Sequence, residues 1–175
     1  MVAVVAVATL VGCRKAPDPT APLEEVAGSL AVQWTGFARG SFAAPARATW
    51  CPADSLLEVL AVRGDSGFGF ALAVADSVRP SPHPVVAPSV VVSWRPLAIA
   101  ALRWASDTAV GGYEANSGNI EVTEKVAAGV SGTIDLRLKL PESIDTIRLQ
   151  GTFRRVAIEP ASGACGRMQR PAGLR

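Results

Sequence analysis

Val130-Ser131-Gly132-Thr133-Ile134-Asp135-Leu136-Arg137-Leu138-Lys139-Leu140 alternates apolar and polar residues almost without a break. Successive side chains of a strand point to opposite faces. Val130, Ile134, Leu136, Leu138 and Leu140 therefore point one way, and Ser131, Thr133, Asp135, Arg137 and Lys139 the other. This predicts a β-strand with one face on a core and one in water. Gly132 interrupts the inward row, which predicts a bulge or the close approach of another strand.

The flanks continue the pattern. Ile120, Val122 and Val126 share a face opposite Glu121, Thr123 and Lys125, and Ala127-Ala128-Gly129 makes the turn. After Pro141, an inward row of Ile147, Leu149, Gly151 and Phe153 opposes Arg148, Gln150, Thr152 and Arg154. Val156 and Ile158 then change the parity, which predicts a β-bulge at Arg154-Arg155.

Towards the N-terminus, Leu30, Val32 and Trp34 alternate with polar or small residues as a strand does. Residues 36–45, rich in Gly and Ala, read as a loop. Residues 46–51 read as a strand stopped by Pro52-Ala53-Asp54-Ser55. Residues 56–63 and 68–75 are apolar runs around Gly64-Asp65-Ser66-Gly67, a β-hairpin pattern. Both runs are apolar on both parities, which places them mid-sheet or beneath a covering layer. Residues 76–84 hold Pro80, Pro82 and Pro84 and read as a surface crossover. Residues 85–94 resume β character, with Pro88 forcing an edge or a bulge. Residues 97–104 suit strand or helix, and the flanking strands favour strand. Residues 107–118 read as a polar loop.

The fold class expected is all-β: an antiparallel β-sandwich or closed barrel of about eight or nine strands, because a flat sheet would expose long edges. The solvated face of the last strands suits an antiparallel sandwich, and the pattern leaves sandwich and barrel both open. The chain has 175 residues, 49% hydrophobic and 18% charged, which suits a single domain. Net charge is +2, and no long basic run carries interleaved aromatics, so nucleic-acid binding is not indicated.

The N-terminal stretch bears on location. Residues 2–11 are apolar and end in Leu10-Val11-Gly12-Cys13, and the Pro-rich Arg14-Lys-Ala-Pro-Asp-Pro-Thr-Ala-Pro22 follows. A membrane span needs about 20 apolar residues, so this run fits a signal-peptide core instead. The tetrapeptide resembles the lipobox of bacterial lipoproteins, although the run lacks the Lys or Arg that usually precedes it. The resemblance implies a signal peptide over residues 1–12 and lipid on Cys13. It further implies a lipid-anchored tether over 13–28, a β-domain over 29–166 and a basic tail over 167–175 containing Arg167, Arg170 and Arg175. It also implies the cell envelope, with the membrane as partner. In a Gram-negative cell the outer membrane is favoured, because Arg14 stands where an Asp would signal retention. Val130-Ser131-Gly132-Thr133-Ile134 and Leu149-Gln150-Gly151-Thr152-Phe153 are similar to the C-terminal pattern of small bacterial lipoprotein β-domains, a resemblance that carries no activity.

With Cys13 assigned to lipid, an exported chain leaves Cys51 and Cys165 in oxidising surroundings, where they are expected to pair as a disulfide. Closing so long a loop is worth about 4.7 kcal/mol in the chain-entropy model. Two separately buried, reduced cysteines are the alternative.

Catalytic patterns are thin. Gly64-Asp65-Ser66-Gly67 imitates a serine-protease nucleophile motif, but Phe68 follows it and the single imidazole, His83, comes after Ser66 among prolines. Arg63-Gly64-Asp65 spells an integrin-recognition tripeptide, which also arises by chance in turns. Zinc wants three or four Cys, His or carboxylate ligands, and with one His and Cys51 and Cys165 expected to be oxidised a zinc site is not expected. Asp54, Asp65, Asp76, Asp107 and Glu114 fall in or beside expected loops, without calcium-loop spacing. No metal, cofactor or catalytic residue is therefore assigned. Of Trp34, Trp50, Trp94 and Trp104, the first two fit inward rows, while Trp104, flanked by Arg103 and near Ser106, is the candidate ligand platform. The function expected is a non-enzymatic binding or structural β-domain of the envelope, with a protein, glycan or apolar ligand as partner. The alternative is a lipid-tethered hydrolase using loop carboxylates.

Overall fold

The computed structural model describes residues 27–74, 77–88, 97–106 and 110–161. Cys13, Cys165, Trp94, Asp76, Asp107, the signal segment, most of the tether and the basic tail lie outside the described residues. Among the described residues ten strands are formed: β1 (Ser29–Gly36), β2 (Gly40–Cys51), β3 (Leu56–Arg63), β4 (Ser66–Ala73), β5 (Ser81–Pro84), β6 (Leu97–Ala105), β7 (Val110–Val126), β8 (Gly129–Lys139), β9 (Thr146–Val156) and β10 (Ile158–Pro160). Antiparallel pairing runs β1-β2-β3-β4-β6-β7-β8-β9, and β9 pairs back onto β1. The sheet therefore closes on itself as an eight-stranded barrel, one of the two architectures expected from the pattern. Short β5 pairs with β7, and β10 runs parallel to β2.

The β7-β8-β9 turns and registers follow the alternation read from sequence. Ile134, Leu136, Leu138, Ile147, Leu149 and Phe153 are buried, while Asp135, Arg137, Lys139, Arg148 and Gln150 face out. A Lys or Arg facing lipid at mid-bilayer costs about 2–4 kcal/mol, so this charged wall is poorly suited to lipid contact. Arg148 bridges to Asp135 at 2.8 Å, and its hydrogen bond holds the Asp135 carboxyl below the usual range. Both partners are exposed, so the pair adds little stability.

Bulges fall where the parity breaks. On β9, Phe153 pairs with Gly132 and Val156 with Val130, so Arg154-Arg155 carry an extra residue, and Arg155 has φ +45°. A second irregularity between Val122 and Glu124 turns Val126 outward, away from the face it was expected to share with Ile120.

Three stretches differ from the sequence expectation. Residues 40–45 are strand, with Phe42 and Ala44 inward. Pro45 sits where β2 passes from its β1 partner to its β3 partner, so its missing N–H interrupts neither ladder in mid-run. Residues 110–118 open the long β7, burying Tyr113 and Ala115. Residues 81–84 are an edge strand. The N–H of Val85 donates to Gly118, so the residues facing β7 for hydrogen bonding are 81, 83 and 85, and Pro82 and Pro84 fall at the intervening positions.

The lumen is filled by aromatic rings from opposed walls. β4 and β9 lie four strands apart around the ring in either direction, yet Phe70 and Phe153 meet at 5.1 Å between centroids. Gly132 makes room: a Cβ there would collide with the Phe153 ring and with the Glu121 carbonyl. Gly132→Ala is expected to cost about 1–3 kcal/mol through overpacking, read as a lower urea midpoint at unchanged slope.

Candidate functional site: the barrel mouth

One end of the barrel gathers the C-terminal ends of β1, β3, β6 and β8 and the starts of β2, β4, β7 and β9. Here Trp34 and Trp104, again on walls four strands apart, pack edge to face at 6.0 Å and 73°. Trp34 is buried and Trp104 half-buried. The Trp34 indole N–H has no hydrogen-bond partner among the described residues. An unpaired buried donor costs about 1–3 kcal/mol. A Cβ at Gly40 would enter the Trp34 ring, so the glycine is what lets the indole lie against β2.

Above this pair lies a cleft of about 350 Å³ lined by Phe42, Arg63, Asp65, Ser66 and Trp104 among others. β3 and β4 separate Phe42 from Trp104 in the wall, so a cleft touching both must sit over the tip of the β3–β4 hairpin. Gly64 and Asp65 form that tip as a two-residue turn, and Gly64 supplies the positive φ of +58°. The Arg63 guanidinium lies 5.6 Å from the Phe42 ring centroid, a cation–π contact that orients it towards the cleft. Sequence reasoning singled out Arg63, Asp65, Ser66 and Trp104 for unrelated reasons, and the fold brings all four together.

The Ser66 hydroxyl is a fastener. It accepts from the Ala105 N–H at 3.0 Å and donates to the Ala105 carbonyl at 3.4 Å, tying the hairpin to the end of β6. His83 lies elsewhere: it pairs with Ile120, nine residues along β7 from Gly111, the partner of Trp104. At about 3.3 Å per residue the separation is on the order of 30 Å. The two residues therefore form no catalytic pair.

The rim carries exposed apolar side chains. Phe37 in the β1–β2 loop, Val110 at the start of β7 and Ile144 in the β8–β9 loop are 65%, 69% and 94% exposed. Beside Ile144, the Ser143 hydroxyl donates to the Asp145 carboxylate at 2.8 Å and accepts from its N–H at 3.0 Å. Burial, and then the Asp145 charge, raise the phenol of Tyr113 above its ordinary value.

The other expected ligands do not converge. Asp54 lies in the β2–β3 turn at the far end, Asp65 at the mouth and Glu114 on β7. No group of three or more metal-capable side chains occurs among the described residues. Sequence reading missed the three rim residues, since an isolated apolar residue in a loop carries no periodic signal. No family model, curated protein or solved structure matches the chain.

His83 is 1% exposed, with its Nε2 against the Ser81 hydroxyl at 3.1 Å and its Nδ1 unpartnered among the described residues. Burial lowers its pKa below the ordinary 6.5. Both folded and unfolded states are neutral well above 6.5, and below it the unfolded chain takes up the proton first. The stability is therefore complete above 6.5 and falls as pH drops from there towards the folded-state pKa. Urea midpoints measured from neutral pH down to the carboxylate range should show this loss, and His83→Leu should flatten it.

Proposed function

We propose that the chain is a lipid-anchored protein of the bacterial cell envelope whose barrel is a non-enzymatic binding module. The observation that carries the anchor is Leu10-Val11-Gly12-Cys13 closing an apolar run ahead of a Pro-rich tether. A single acyl chain binds only marginally, and two or three on one Cys hold stably. In a Gram-negative cell the absence of Asp after Cys13 favours the outer membrane.

The direction of the barrel supports binding over a purely structural role. The tether joins β1 at Ser29, the end opposite the mouth. The rim of Phe37, Val110 and Ile144 and the Trp104 cleft thus stand at the end away from the anchor. Exposed apolar side chains gathered from separate loops around a polar cleft are the pattern of a protein-docking surface. Phe70, Phe153, Trp34 and Trp104 fill the lumen, so a partner is met at the mouth rather than swallowed. Among the described residues Asp65 is the one carboxylate lining the cleft, whereas the hydrolase alternative calls for a pair.

In an exported barrel Cys51 would pair with Cys165 as a disulfide. Cys51 is buried at the end of β2, and the N–H of Ala161 donates to the adjacent Trp50 carbonyl at 3.1 Å. Cys165 follows four residues later, within a reach of about 13 Å.

Palmitate labelling in a bacterial host tests the anchor. Label is expected on the wild-type chain and absent from Cys13→Ala, and equal labelling of the two would sink the proposal. Thiol titration of the denatured, unreduced mature protein should find no free thiol, and two would overturn the pairing.

A further inference from the structure

Outward positions on a barrel normally meet solvent, but on one part of this wall they do not. The outward residues of β4 are Gly67, Gly69, Ala71 and Ala73, none larger than a methyl group. On one side stand Leu56, Glu58, Leu60 and Val62 of β3, and on the other Leu97, Ile99, Ala101 and Arg103 of β6. The result is a trough along the outside of the barrel, floored by β4. Its two halves differ. At the end away from the mouth, Leu56, Ala71, Ala73 and the neighbouring Cys51 are 3%, 1%, 8% and 1% exposed. Towards the mouth, Leu60 and Val62 are 49% and 57% exposed beside an open cleft of about 380 Å³.

We propose that the occupant of this trough is the C-terminal segment of the same chain. β10 runs parallel to β2 and delivers Ala161 onto the buried half, where it packs against the cluster of Cys51, Leu56, Ala71 and Ala73. Residues 162–175 continue from that point. Ser162-Gly163-Ala164-Cys165-Gly166 is small enough to lie over the methyl-sized floor, and Met168 and Leu174 supply apolar side chains further on. From Leu56 to Val62 the trough is about 20 Å long at 3.3 Å per residue. The ten residues after Cys165 reach about 33 Å when extended, enough to run its length. Burial of the open half by Met168 or Leu174 would remove the exposed Leu60–Val62 patch from water. The tail read from sequence as basic and solvated then serves as a strap. The inference does not depend on the lipid anchor.

The test uses the full mature chain with p-benzoylphenylalanine in place of Met168. After irradiation, mass spectrometry should find cross-links within one chain to peptides containing Leu56–Val62 or Leu97–Ala101. Cross-links to a second copy, cross-links to the β7–β9 wall, or none at all would overturn the proposal. A chain terminated after Cys165 keeps the proposed disulfide and should bind an apolar fluorescent dye several-fold more strongly than the full chain. Unchanged dye binding by a folded truncated chain would also overturn it. Thiol titration of that chain reads the pairing separately, so failure of the strap and failure of the disulfide are told apart.

Discussion

Closing eight strands into a ring leaves a lumen that something must fill, and this chain fills it with rings that meet across the diameter. Phe70 from β4 reaches Phe153 from β9, and Trp34 from β1 reaches Trp104 from β6. In each pair the strands are as far apart in the wall as the ring allows. An eight-stranded barrel is just narrow enough for such contacts, since interior side chains can span it. Their cost is space, and glycines supply it. Gly132 accommodates Phe153, and Gly40 accommodates Trp34. Each glycine faces inward on a strand beside the ring it admits, where almost any other side chain would force the aromatic off its partner. Closure, register and the positions of these glycines are thus one constraint.

The same filling decides what the barrel can bind. Trp34 and Trp104 cross the lumen at the mouth, and the Trp104 indole also lines the cleft there. Arg63, Asp65 and Ser66 line it too, and Phe37, Val110 and Ile144 stand around the rim. Charged side chains dominate the β8–β9 wall, while β4 presents only glycine and alanine outward. The surface therefore has three different chemistries on a body whose interior is mainly apolar, with His83 a buried polar exception.

The strands from residue 120 onward were legible because their core positions hold large aliphatic residues against charged ones, the contrast that a period-two reading detects. Residues 40–45 and 110–118 were not, although they too are strand. Their inward positions include Gly40, Ala44 and Ala115, too small to give the large-apolar contrast that a period-two reading needs. Gly40 is small because the Trp34 ring of its paired strand lies against it. β5 was hidden for a different reason: two prolines look disqualifying until their spacing is matched to the positions that donate no ladder bond. Barrel rather than sandwich rests on the β1–β9 pairing, which joins the two ends of the described chain and leaves no local trace. At the mouth, Trp104 and the Arg63–Ser66 turn were visible as residues, but the separation of Ser66 from His83 was not.

That separation shows how topology limits chemistry here. In a meander, consecutive strands alternate direction, so loops of alternate parity gather at opposite ends. The β3–β4 turn with Ser66 belongs to the mouth, and β5 with His83 lies against the far half of β7. The turn residues Asp54 and Asp65 are divided between the ends for the same reason. What does collect at one end are loops of one parity, here β1–β2, β3–β4, β6–β7 and β8–β9. Among the described residues those loops carry Phe37, Arg39, Asp65, Glu142, Ile144 and Asp145, apolar and charged side chains together.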